Sequence, residues 1–114
     1  HVFVLTSDQS GDNAPTRTNV AFRLTWLAER VRPEDTVVFY FSGHGMQMGD
    51  TPYLLTVEAD PRNAGTLRLS ALSTHELNGL LQDLKARRLL VLGDACRNDP
   101  RAGKFVDVGD LRAL

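Results

Sequence analysis

The run Thr36-Val37-Val38-Phe39-Tyr40-Phe41 constrains the fold more than any other stretch of this chain. It is β-branched and aromatic throughout, without polar alternation, the pattern of a strand covered on both faces. Such a strand belongs to a sheet flanked by helices, and so to the α/β class. A second run, Leu89-Leu90-Val91-Leu92-Gly93, has the same character. Helical periodicity precedes each. Val20, Leu24, Leu27, Ala28 and Val31 give one apolar face to a helix from about Thr16 to Val31, ended by Arg32-Pro33. Leu77, Leu80, Leu81 and Leu84 do the same for a second helix. Ser73-Thr74-His75-Glu76 opens it as a capping box, with Glu76 reaching back to Ser73.

The remaining stretches fit between these elements. His1–Leu5 reads as a short strand and Tyr53-Leu54-Leu55 as another. Thr6 to Pro15 is a loop carrying Asp8 and Asp12, and Asp60-Pro61-Arg62-Asn63 is a turn. Trp26 is expected to pack against the sheet, whereas Arg17, Arg23 and Arg30 lie off the apolar stripe on a solvated face. The order strand, helix, strand, short strand, helix, strand implies right-handed crossovers and a largely parallel sheet.

At 114 residues the chain forms one domain. A net charge of −1 with scattered basic residues gives no electrostatic case for nucleic acid. No apolar run reaches the length of a membrane span, and no charged leader or signal peptide is visible. The lone cysteine forms no internal disulfide and no multi-cysteine zinc site, which fits a reducing, cytoplasmic setting. The three histidines show no paired ligand spacing, so no metal site is expected. The chain starts on His1 inside an apolar run, as a piece of a larger protein would.

Two strand ends carry the chemistry. The first run leads into Ser42-Gly43-His44-Gly45, and the second into Asp94-Ala95-Cys96-Arg97-Asn98. In parallel α/β sheets ligands bind beyond the C-terminal strand ends, so His44 and Cys96 meet at one sheet edge although 52 residues separate them. Two glycines around His44 would let the backbone turn tightly and expose the ring. A thiol becomes a good nucleophile when an imidazole takes its proton, and the same imidazole can later protonate a leaving amine. The backbone amides of Gly45 and Cys96 are candidate donors for the oxyanion of acyl transfer. Each residue alone has a plainer reading: Cys96 as core packing, and a histidine in a turn, such as His75, as solvated.

Phe39-Tyr40-Phe41-Ser42-Gly43-His44-Gly45 and Gly93-Asp94-Ala95-Cys96-Arg97-Asn98 resemble the His and Cys motifs of caspase-fold cysteine peptidases. Leu5-Thr6-Ser7-Asp8-Gln9, followed by Ala14-Pro15-Thr16-Arg17 at a helix start, is similar to metacaspases and paracaspases. The likeness runs from Val2 to about Asn98 and suggests a bacterial member. It implies an α/β/α three-layer sandwich around a mostly parallel sheet, here incomplete. Residues 1–114 would be the large-subunit portion of the catalytic domain, without the family's first strand and helix and without the small-subunit region. His44 and Cys96 would be the catalytic dyad, acting through a thioester, with Gly45 and Cys96 as the oxyanion hole.

Caspases that cut after aspartate carry glutamine two places before the cysteine, where this chain has Asp94. A carboxylate there repels an acidic P1 side chain and pairs with a basic one, arginine by a two-pronged contact. The resemblance adds Asp8 and Ser42 to the same S1 pocket. The implied activity is an endopeptidase cutting protein or peptide substrates after Arg, and less well after Lys. No cofactor is expected. Metacaspases commonly carry a run of acids after the histidine that belongs to calcium activation, but Met46 to Thr56 contains only Asp50. The implied partner is the small-subunit region of the same or a processed chain, and Arg101, Lys104 and Arg112 are candidate sites of self-cleavage. Two rivals remain: a catalytically silent caspase-like module acting in assembly or regulation, and an unrelated α/β binding domain with Cys96 buried.

Overall fold

The N-terminal loop ends where Thr16 accepts a hydrogen bond from the Asn19 N–H and so caps the first helix. The computed structural model describes residues 1–97, with side chains through residue 95. In chain order the elements are α1 (Arg17–Ala28), β1 (Thr36–Met48), β2 (Thr51–Leu55), α2 (Ala64–Ser70), β3 (Leu72–Ser73), α3 (Thr74–Gln82) and β4 (Arg88–Arg97). They form a four-stranded sheet in the order β3-β2-β1-β4. β1 and β4 run parallel, in register from Thr36↔Arg88 to Gly45↔Arg97. β1–β2 is an antiparallel hairpin, and β3 adds two antiparallel pairs to β2. The α/β class and the parallel crossover are therefore as the sequence implies.

The main core lies on one face of the sheet. Leu24 of α1 and Leu77 and Leu81 of α3 pack with Val37, Leu54 and Val91, and Phe39, Phe41 and Leu89 close around them. Strand alternation puts Val37, Phe39 and Phe41 on this face and sends Val38 and Tyr40 to the other. There, α2 covers only the hairpin end, where Leu67 and Ala71 pack against Tyr53, Met46 and Met48. Helices thus stand on both faces, but Val38, Tyr40, Leu90 and Leu92 remain exposed at 57%, 62%, 48% and 39%. The double-sided burial expected of residues 36–41 is a correction: among the described residues no helix covers the second face along that stretch.

Other differences have local causes. His1–Leu5 joins no strand of the sheet. Instead Phe3 sets its ring edge-on to Trp26, so Trp26 packs on the N-terminal segment and not on the sheet. Arg23 and Arg30 are held over rings, Arg23 4.7 Å from Phe3 and Arg30 3.9 Å from Trp26. Ser73 caps α3 by accepting from the Glu76 N–H, but the Glu76 carboxylate does not reach back. It pairs with the Arg17 guanidinium, joining α3 to α1. Residues 64–70 form a helix that apolar periodicity does not announce, started by Asn63 accepting from the Thr66 N–H.

Candidate active site

β1 does not stop at Phe41 and β4 does not stop at Gly93. Both continue, so His44 and Cys96 lie within strands and not beyond them. The cause is pairing on both sides: β2 pairs with residues 44–48 and β4 pairs with β1 through Gly45, so β1 stays extended through both glycines. Gly43 and Gly45 therefore make no turn, and the only glycines with positive φ are Gly11 and Gly49 among the described residues. Gly43 has a packing reason instead. A Cβ there would come 3.1 Å from Cζ of the Phe41 ring.

The register assembles the site. His44 is the partner of Cys96, and Ser42 is the partner of Asp94. Adjacent strands lie about 4.8 Å apart, and register partners share a face. Positions 42, 44, 94 and 96 thus form a compact square on the incompletely covered face. Ser42, His44 and Asp94 are exposed and open to a ligand. On its other side His44 has Leu55 as partner, while Gly45 is buried between Leu54 and Arg97 positions. A thiol and an imidazole at adjacent register positions can exchange a proton, and the carboxylate of Asp94 one step away can receive a cationic side chain.

Asp8 is on neither strand of this square. It lies in the loop before α1, where its carboxylate accepts from the Thr6 hydroxyl at 2.5 Å, and no hydrogen bond or ion pair joins it to Ser42 or Asp94. That loop is closed by Thr6 N–H to the Asn13 carbonyl, and Asn19 fastens it to α1 by donating to the carbonyls of Gly11 and Ala14. His75 is exposed on α3, without a role. Arg101, Lys104 and Arg112 lie outside the described residues. Sequence alone puts Leu55 in a short strand but does not set it beside His44. The Gly49-Asp50 turn between two apolar runs is the signal that could have placed it beside His44.

Comparison with known proteins identifies the family. The family model of the caspase domain matches residues 4–112. Metacaspase-3 of Arabidopsis thaliana is 34% identical over 91 residues, 79% of this chain and 23% of that protein. Metacaspase-1 of Scheffersomyces stipitis is 39% identical over 51 residues, 44% of this chain and 13% of that protein. Metacaspase-1 of Candida albicans is 42% identical over 53 residues, 46% of this chain and 12% of that protein. The chain spans less than a quarter of the length of these curated relatives. With the matched model covering nearly all of it, and with the histidine and cysteine positions paired across β1 and β4, this chain belongs to the caspase-domain family of peptidases.

Proposed function

We propose that the chain carries the catalytic portion of a cysteine endopeptidase that cleaves after basic residues. In this reading His44 takes the proton of the Cys96 thiol and Cys96 attacks the scissile carbonyl. The carbonyl π pair moves to oxygen, and its return expels the amine, which takes the proton from His44. Water then releases the acyl group from the thioester. The observation that carries the reading is the His44↔Cys96 register, with Ser42↔Asp94 two positions behind it on the same face. Asp94 receives the guanidinium of the P1 residue beside the Ser42 hydroxyl. Asp8 is a third S1 residue on the strength of the family likeness alone.

The relatives named metacaspase support the peptidase chemistry, and the caspase domain supports a peptide or protein substrate. The chain acts in this reading as the large-subunit portion, completed by a small-subunit region. Calcium activation is not expected in this reading, since residues 46–56, after the histidine, carry the single carboxylate Asp50. A soluble setting is in keeping with the finding that no helix among the described residues is long and apolar enough to cross a membrane. Turnover of matched fluorogenic peptides ending in Arg, Lys or Asp tests the proposal. Arg is expected to be cut fastest, Lys more slowly, and Asp not measurably. Preferential cleavage after Asp would overturn the role of Asp94.

A further inference from the structure

The hydrogen-bond parity of β1 decides where the two oxyanion donors point. β1 and β2 are joined by a two-residue connection, Gly49-Asp50, with Gly49 at φ 62°. Such a hairpin closes on a pair that exchanges both backbone bonds, here Met48↔Thr51. Antiparallel pairs alternate, so Met46↔Tyr53 and His44↔Leu55 exchange bonds, whereas Gln47↔Pro52 and Gly45↔Leu54 do not. Pro52, which has no N–H, falls on a position where none is needed, an independent check of that parity. The N–H and C=O of Gly45 therefore point away from β2 and toward β4.

In a parallel ladder each such residue bonds to the two residues flanking its register partner. The partner of Gly45 is Arg97, so the register directs the Gly45 N–H at the Cys96 carbonyl. The partner of Gly43 is Ala95, so it directs the Cys96 N–H at the Gly43 carbonyl. Both amides that acyl transfer needs for its oxyanion are thus spent on the sheet, each on the strand of the other. An N–H in a ladder cannot at the same time point at a carbonyl oxygen arriving on the open face.

We propose that this is a latent state of the site, in which the last turns of the β1–β4 ladder hold the oxyanion donors. Competence then requires the strands to part beyond Phe41 and Gly93. The ladder opens from its C-terminal end, and the continued pairing of Thr36–Phe41 with Arg88–Gly93 keeps the two strand ends that carry His44 and Cys96 adjacent. Access to substrate and formation of the oxyanion hole become one event, since a peptide that displaces the ladder at Gly43 and Gly45 also frees the two donors. The inference takes the role of these amides from the peptidase reading, but its test is read on the amides and needs no turnover.

Amide hydrogen exchange and nuclear Overhauser contacts on the labelled 114-residue chain provide that test. In the free chain the Gly45 and Cys96 amides should exchange at least about 100-fold more slowly than those of Gly49 and Asp50 in the exposed turn. Equal, fast exchange at all of them would overturn the proposal. A peptidyl arginyl aldehyde supplies the second arm. The Cys96 sulfur bonds to the aldehyde carbon, the π pair moves to oxygen, and the thiol proton passes to His44. The resulting oxyanion needs donors, so contacts across positions 43–45 and 95–97 should vanish in the adduct while those across 36–41 and 88–93 persist. An adduct that keeps the whole ladder intact would overturn the proposal. Failure of the peptidase reading shows separately, as P1 turnover that ignores Arg.

Discussion

The two faces of the β1–β4 ladder use the same strands for different ends. On one face Val37 and Val91 are 7% and 2% exposed beneath α1 and α3. On the other, neighbours in sequence such as Val38 and Leu90 are about half exposed, and the rows they begin continue into Ser42, His44 and Asp94. Alternation along a strand makes this division sharp, since each step of one residue changes the face. The covered face holds the strands in register, and the register sets His44 beside Cys96. The open face needs no packing of its own to keep that geometry, so it is free to carry reactive and polar groups.

The largest effect should come from breaking the chemistry while leaving the packing alone. His44→Ala removes the proton acceptor proposed for the thiol, and turnover of an arginyl peptide should fall about a thousandfold. His44 is exposed and packs into neither core cluster, so unfolding stability should stay within about 0.5 kcal/mol of the parent. Kinetics and denaturant unfolding on the same preparations check both halves. A variant that unfolds easily yet still turns over would mean that the open face carries stability after all.

A smaller effect, of opposite kind, comes from two adjacent positions. Val91→Ala removes two buried methyl groups at about 0.8 kcal/mol each and leaves a small cavity, so it should cost about 2 kcal/mol. Leu90→Ala, one residue earlier on the open face, should change stability by less than about 0.5 kcal/mol although more carbon is removed. Chemical unfolding of the two variants, read against each other, measures how far the faces differ. Equal losses would show that the open face is covered in solution.

Much of this division was legible before the structure, and its gaps are instructive. The two apolar runs and the motifs that follow them locate β1, β4, His44 and Cys96, because those signals are local. Ser73 as the α3 cap and the Asp60 to Asn63 turn are local too. What one chain segment cannot announce is its neighbour. His1–Leu5 has the composition of a strand but no partner strand. Residues 36–41 have the composition of a doubly buried strand but helices on one side only. Glu76 has capping-box spacing, yet Arg17, 59 residues away, wins its carboxylate. The glycines flanking His44 suggest a turn, and pairing with β2 and β4 makes them strand. The pairing of Ser42 with Asp94 had to wait for the register, since nothing in their spacing specifies that they face each other.

The smallest effect is expected away from both faces, at the turn after β2. Arg62 donates to both oxygens of Asp60 through its guanidinium, and its own N–H adds a further bond to the same carboxylate. The side-chain bonds, then the backbone bond, hold the Asp60 carboxyl below its ordinary value. A depressed carboxyl contributes stability above the unfolded pKa of about 3.9, and that contribution is lost as pH falls through the lower folded value. The turn is solvent-exposed, so salt and water screen the pair and the contribution is slight. An Asp60 titration followed by carboxyl chemical shift should therefore have its midpoint below that of an unpaired aspartate, and Arg62→Ala should return it to the ordinary range. Stability between pH 5 and 8 should not change with that substitution by more than a surface pair can supply, and turnover should not change at all. A loss of activity in Arg62→Ala would mean that this turn, which begins the segment leading into α2, is coupled to the open face through the Leu67–Tyr53 cluster.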